Sequence, residues 1–287
     1  MSEITQQLCE FLEGARHAPL DEKTIEKAKH HIVDTVAAMI SGTALHVGHK
    51  AMNALPVFEG LPEASVFGQS KRYPAYWAAM FNAMLAHADE TDDSHETSIT
   101  HPGCSIVPTA MAMAQRQKKG GLDFIRAVCA GYDVGPRITE ALGAMALNNA
   151  GTSSHAMGAI WGSGACASVL ADFDQVQVRR LISYLAHETS GLGCWMAEHD
   201  HVQKAYVFGA MGAKNAITST LLVQSGWTGL DEALEGPRTL FHARAQTARG
   251  RSMAPPLVLG KEILGANIKK WCVGSPAQAP LDAVQAL

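Results

Sequence analysis

The sequence predicts a mainly α-helical protein, and three observations carry that expectation. Apolar residues fill 47% of the 287 positions while aromatics fill only 6%, so the core must be built from aliphatic and small side chains. Alanine and glycine are frequent, which suits helices that touch closely. Alternating β-branched runs are scarce, so little sheet is expected.

The elements follow from spacing. Residues 22–41 place Ile25, Ala28, Ile32, Val36 and Ile40 close to one helical face, and Gly42 supplies a stop. Residues 64–68 (ASVFG) are the one tolerable extended piece. Residues 75–88 read as an Ala/Met-rich helix. Pro108 opens another run through Met113, which Gly120-Gly121 ends. Runs at 122–131, 162–170 and 175–190 continue the helical theme, and 204–224 is the longest small-residue helix before the SGWTG turn. From about residue 243 basic residues and Pro255-Pro256 mark a linker or an entry to another unit. The expected division is a helical domain over 1–265 and the start of a second unit over 266–287. The last residues, LDAVQAL, stop inside a helical pattern, which points to a fragment.

Composition excludes several classes. A net charge of −4 without any dense Lys/Arg run argues against nucleic acid as a partner. The N-terminus is acidic and lacks an apolar core, unlike a secretory signal. Apolar stretches break before the roughly 18 residues a bilayer span needs, so no membrane association is expected. The six cysteines are scattered with no CxxC pair, which reads as small buried hydrophobes in a reducing, cytoplasmic setting.

Chemistry concentrates in residues 82–103, NAMLAHADETDDSHETSITHPG. In a chain with only 17% charged residues, this segment holds three histidines, three aspartates and two glutamates. If the helix continued, Asn82, Asp89 and Asp93 would share one face, with Asp92 an i, i+3 alternative to Asp89. Carboxylates this close raise one another's pKa. His101, fixed ahead of Pro102-Gly103, suits proton transfer because imidazole changes charge near physiological pH. The bland alternative is that these acids cap a helix and solvate a loop. A metal site could draw on His87, Asp89, Asp92, Asp93, His95 and His101. The set lacks HExxH spacing and EF-hand order and includes no cysteine, so no metal is expected.

Two further places matter. Gly151 to His155 precede an Ala/Gly-rich helix, where Ser153, His155 and backbone N–H groups could hold an anionic group or simply cap the helix. Lys204 stands before a long helix, where a cation opposes the dipole unless it pairs with a carboxylate.

With these residues laid out, the chain resembles the MmgE/PrpD family, which includes 2-methylcitrate dehydratases, cis-aconitate decarboxylases and iminodisuccinate epimerases. The resemblance runs from IVDTVAAMISG (32–42) through VFG (66–68) to NAMLAHADETDD (82–93), THPG (100–103) and VPTAMA (107–112). It continues through GYDVGPRI (131–138), GSGACAS (162–168), QKAYVFGAMGAKNA (203–216) and GWTGLDEALEG (226–236). It implies a large helical domain followed by a smaller α+β domain, homodimers, and catalysis with no metal or other cofactor. KKWCVGSPAQAPLDA (269–283) resembles the start of that second domain. Carried over by position, Asp89 matches the active-site aspartate, Ser94 a usual Thr or Ser, His101 the catalytic histidine and Lys204 the pocket lysine. The chain departs from the pattern at Ser153, where a histidine is usual and His155 stands two residues on, and at Val207.

The expected reaction is proton transfer at a carbon next to a carboxylate. A lyase dehydrating a hydroxy-tricarboxylate such as 2-methylcitrate leads. In it Lys204, Ser94, Asn82 and Ser153 would hold the anionic substrate, and the catalytic residues would be His101, which exchanges the proton, Asp89, which positions the substrate, and His155, which assists. Epimerisation or decarboxylation of a related acid is the nearest alternative. A truncated, non-catalytic dimerisation or binding domain and a metal-dependent hydrolase are the others.

Overall fold

A computed structural model describes residues 3–244, 253 and 256–287. The predicted basic stretch and Pro255 fall largely outside the described residues. Helix dominates. The only sheet among the described residues pairs β1 (Ala64–Ser65) with β2 (Arg72–Tyr73), antiparallel, with Ala64 opposite Tyr73. The extended reading of ASVFG holds at its first two residues.

Helix α1 (Glu3–Ala15) buries Ile4, Leu8, Leu12 and Ala15, one stripe at helical spacing. Helix α2 (Glu22–Gly42) matches the expected 22–41 helix. Asp21 caps it, accepting from the Thr24 N–H at 2.7 Å. After the short α3 (His46–Ala54), helix α4 (Ala75–Ala86) runs through the core and stops at His87. The projected helical face joining Asn82 to Asp89 and Asp93 therefore does not form.

Helix α5 (Gly103–Gln117) begins five residues before Pro108, which lies inside it. Its start is set from a distance: the Asp93 carboxylate accepts from the Gly103 N–H at 2.8 Å. Helix α6 (Gly121–Leu142) outruns its sequence signal because almost every residue from Ala127 on is buried, and α7 (Ala144–Asn149) follows. Helix α8 (Ser154–Leu170) is the hub, packed on α6 and on α5. Every residue of α8 is buried except His155. Helices α6 and α8 approach through paired glycines. A Cβ at Gly135 would lie 2.6 Å from the Gly158 carbonyl oxygen, and one at Gly162 would lie 3.0 Å from that of Gly131. Only hydrogen fits there.

Helix α9 (Gln175–Glu188) carries a capping box, Asp174 with Gln177. The expected 204–224 helix is continuous but not uniform. A short α10 (Val202–Ala205) passes through a π-type turn at Tyr206–Ala210 into α11 (Met211–Gln224), which packs on α8. Such one-turn widenings re-aim side chains and often lie at functional sites. Two more short helices follow, α12 (Leu240–Arg244) and α13 (Gln278–Gln285). Among the described residues no helix is long and apolar enough to cross a membrane. All six cysteines are free, and Cys9, Cys104, Cys129 and Cys166 are buried.

Candidate active site

The loop from His87 to Pro102 cannot be helical because it is held by side chains from four directions. Glu90 (φ 64°) and Ile99 (φ 51°) sit in the left-handed region, which a β-branched residue such as isoleucine enters only when its surroundings fix it. Antiparallel bridges pair His95 with Thr100 and Ser94 with Asn267. The loop, the N-terminus of α8, α10 with its π-type turn, and the returning segment 267–282 enclose a cavity of about 720 Å³.

Burial of acids at this depth requires compensation. Asp92 and Asp93 are fully buried. The Asp92 carboxylate meets His87 Nδ1 at 2.8 Å, Lys269 Nζ at 3.4 Å and His101 Nδ1 at 3.6 Å. Burial raises its pKa, but His87, His101 and Lys269 outweigh that and hold it well below the usual range. Asp93 accepts from the Tyr132 hydroxyl at 2.5 Å, meets His31 Nδ1 at 2.6 Å, and caps α5. Its pKa too ends below normal, these donors outweighing burial. Glu90 pairs with Lys204 and lies 3.9 Å from Lys269 Nζ.

His101 opens to this cavity. Its Nδ1 lies 2.7 Å from the Asp93 carbonyl oxygen, so Nε2 is the nitrogen left facing the open space. Burial pushes the imidazole down to about 4, the Asp92 charge opposing only in part. His155 sits beside it, ring centroids 5.0 Å apart, stacked on Phe208 at 3.9 Å. Burial also holds His155 well below its ordinary value, and its Nδ1 has no hydrogen-bond partner. Lys204 Nζ lies 5.2 Å from the Trp195 ring centre and 5.0 Å from that of Phe208. The Glu198 carboxylate accepts from the Gln203 and Lys204 N–H groups, satisfying the helix start that this cation would otherwise oppose.

The structure thus brings His101, His155, Ser94 and Lys204 to one cavity and leaves three candidates outside its wall. Asp89 accepts from Ser41 at 3.0 Å and from Thr91, tying the loop to α2. Asn82 is buried in α4, accepting from the Phe67 N–H at 3.0 Å and donating to the Ser65 carbonyl at 2.9 Å. Ser153 takes the capping role, accepting from the Ala156 N–H. Because α4 ends at Ala86, the chain turns and Glu90, not Asp89, lines the cavity, while Asp92 is buried behind it against His87, His101 and Lys269.

Sequence reasoning missed Lys269, Glu90, Trp195 and Phe208. Lys269 Nζ donates to the Glu90 carbonyl at 2.9 Å, and its side chain is 2% exposed. Its segment is fastened at a distance. The buried Asp133 carboxylate accepts from the Gly260 and Glu262 N–H groups at 2.6 and 2.9 Å, and Glu262 pairs with Arg137 and His95. The adjacent pair Lys269-Lys270 was the sole sequence signal, and adjacency says nothing about burial.

Among the described residues two groups, His87/Asp92/Cys104 and His87/Glu90/His201, are compact enough to approach a common metal ion. Lys204 and Lys269 already neutralise the same carboxylates. A divalent cation there would meet two ammonium groups at close range.

Residues 6–250 match the MmgE/PrpD N-terminal domain. A cis-aconitate decarboxylase-like protein of Aspergillus oryzae is 27% identical over 94% of this chain and 59% of its own length. Cis-aconitate decarboxylase of Aspergillus terreus is 24% identical over all of this chain and 60% of its own length. The human protein of that name is 26% identical over 82% of this chain and 49% of its own. The chain thus spans up to about 60% of the length of these relatives. With the family domain matched across most of its residues, the chain belongs to the MmgE/PrpD family.

Proposed function

We propose that this chain carries the helical half of a lyase site that moves a proton at carbon next to a carboxylate of a small di- or tricarboxylate, without a metal. One observation carries the reading: a neutral, cavity-facing His101 lies beside His155 and within the same walls as Lys204, Lys269 and Lys270. Lys204 and Lys269, each already paired with a carboxylate of the chain, are cations that a substrate carboxylate would share with Glu90 and Asp92. The apolar faces of Trp195 and Phe208 exclude water and strengthen those contacts. Ser94 and Asn267 present polar groups at the far wall.

Decarboxylation of a cis-aconitate-like acid is the first form of this reading, supported by the names of the relatives above. In it the carbon–carboxylate bond breaks, carbon dioxide leaves, and the electron pair delocalises toward a remaining carboxylate. His101, protonated as the anionic substrate enters, then delivers a proton to carbon. Dehydration of a 2-methylcitrate-like acid is the second, favoured by the resting state of His101. A neutral Nε2 is ready to take a proton from carbon, and that proton, relayed through His155, leaves with the hydroxyl as water. A homodimer in the cytoplasm belongs to the same proposal.

The test is turnover of cis-aconitate and 2-methylcitrate by this chain, following carbon dioxide release and alkene absorbance separately. Replacement of His101 by Gln is expected to cost about 10²–10⁴-fold in rate, the range for a lost acid–base group. Equal turnover in that variant would sink the assignment. Binding of tricarboxylates with no turnover would instead favour a non-catalytic binding domain.

A further inference from the structure

Behind His101 lies a buried network, none of whose residues lines the cavity. The Asp93 carboxylate is gripped by three donors from three helices: His31 of α2, Tyr132 of α6 and the Gly103 N–H of α5. Asp93, His31 and Tyr132 are all fully buried. The space is closed to any further side chain. A Cβ at Gly103 would lie 2.8 Å from Thr35 Oγ1, 2.9 Å from Asp93 Oδ1 and 3.0 Å from the Tyr132 hydroxyl.

The backbone carbonyl of the same Asp93 is the partner of His101 Nδ1, at 2.7 Å, while the Asp92 carboxylate stands by at 3.6 Å. These two acceptors compete for one nitrogen, and they differ in consequence. A neutral carbonyl fixes the Nδ1–H tautomer and raises the ring's basicity less than a charged partner does. A carboxylate would fix the same tautomer and also stabilise the imidazolium.

We propose that Asp93 is a positioning residue: held by His31, Tyr132 and Gly103, it keeps its carbonyl on His101 Nδ1, so that His101 stays off Asp92 and presents an unprotonated Nε2 to the cavity. The carboxylate does not touch substrate and acts through the backbone of its own residue. Loosening the grip lets the carbonyl drift and lets His101 turn toward Asp92. The catalytic consequence rests on the lyase reading above, but the tautomer does not.

Nitrogen NMR of the imidazoles in ¹⁵N-histidine-labelled protein tests this, with the His101 signals assigned by loss in His101→Gln. The expected result is a pyrrole-type Nδ1 and a pyridine-type Nε2 for His101 at neutral pH. Tyr132→Phe removes one hydroxyl from Asp93 and keeps the ring, so it should fold. It is expected to move the His101 Nδ1 signal as the ring turns from the Asp93 carbonyl toward the Asp92 carboxylate, and to lower kcat about tenfold with KM kept. Asp93→Asn should do the same more strongly. An Nε2–H tautomer in the unaltered protein overturns the proposal. So does a Tyr132→Phe protein with unchanged His101 signals, whatever its melting temperature. Altered signals with no turnover of any polycarboxylate by the unaltered protein would uphold the positioning role and defeat the lyase reading instead.

Discussion

Lys269 Nζ lies 3.4 Å from Asp92 Oδ1, joining residues 177 positions apart in a contact where one side chain is 2% exposed and the other fully buried. A buried pair with excellent partners contributes little compared with two apolar groups, but losing one member leaves a buried charge unpaired. Lys269→Met is therefore expected to destabilise the fold by about 3 kcal/mol, read by urea denaturation, because His87 compensates Asp92 only in part. It should also weaken binding of tricarboxylates in a thermal-shift titration. A change under about 0.5 kcal/mol would place Lys269 at a solvated surface instead.

Asp89 and Asp92 separate cleanly by substitution. Asp89→Asn keeps a group able to bond Ser41 and Thr91 outside the cavity, so turnover should stay within about threefold of the parent. Asp92→Asn removes the charge that His87, His101 and Lys269 surround, and turnover should fall about 100-fold or more. The reverse ranking would restore the helical-face reading of this segment.

The depressed histidines make stability sensitive to acid. His101 takes up its proton at about 4 in the folded chain, and at about 6.5 when unfolded. Folding therefore excludes a proton that the unfolded chain accepts, and stability is full above about pH 6.5 and lost as pH falls toward 4. His155 and His201 are shifted in the same direction by burial. Asp133, raised by burial to about 7, and Asp34, raised to about 6, act oppositely, adding stability at low pH that fades as pH rises through those values. Between pH 7 and pH 5 the His101 contribution alone amounts to about 2 kcal/mol. His101→Gln should flatten the fall in urea midpoint over that interval. An unchanged slope would count against a buried neutral imidazole.

Two glycines predict opposite signs for one substitution. Gly135→Ala must push α6 from α8, since its Cβ would meet the Gly158 carbonyl at 2.6 Å. A loss of about 2 kcal/mol is expected, overpacking exceeding the gain in helix propensity. Gly14→Ala in α1 meets nothing within 4 Å and should stabilise by about 0.5–1 kcal/mol. Thermal melts of both variants check the contrast.

The helical class is legible in the chain alone, because apolar spacing and small-residue content are local and survive any arrangement of the helices. The sequence also shows that chemistry gathers in 82–103, and it names His101, Ser94, Lys204 and His155, all of which reach one cavity. Tertiary structure alone decided which acids face inward. The helix carrying Asn82 stops at Ala86, so periodicity projected past that point put Asp89 at the wall that Glu90 lines. The start of α5 was likewise invisible, because its cap is the side chain of Asp93, ten residues back across a turn. Lys269 could not be read at all. Its burial depends on Asp133 clipping residues 260–262 to α6, a contact more than 120 residues long in sequence. Spacing reports which neighbours share a face within one helix, and it carries no information on which distant segment closes over that face.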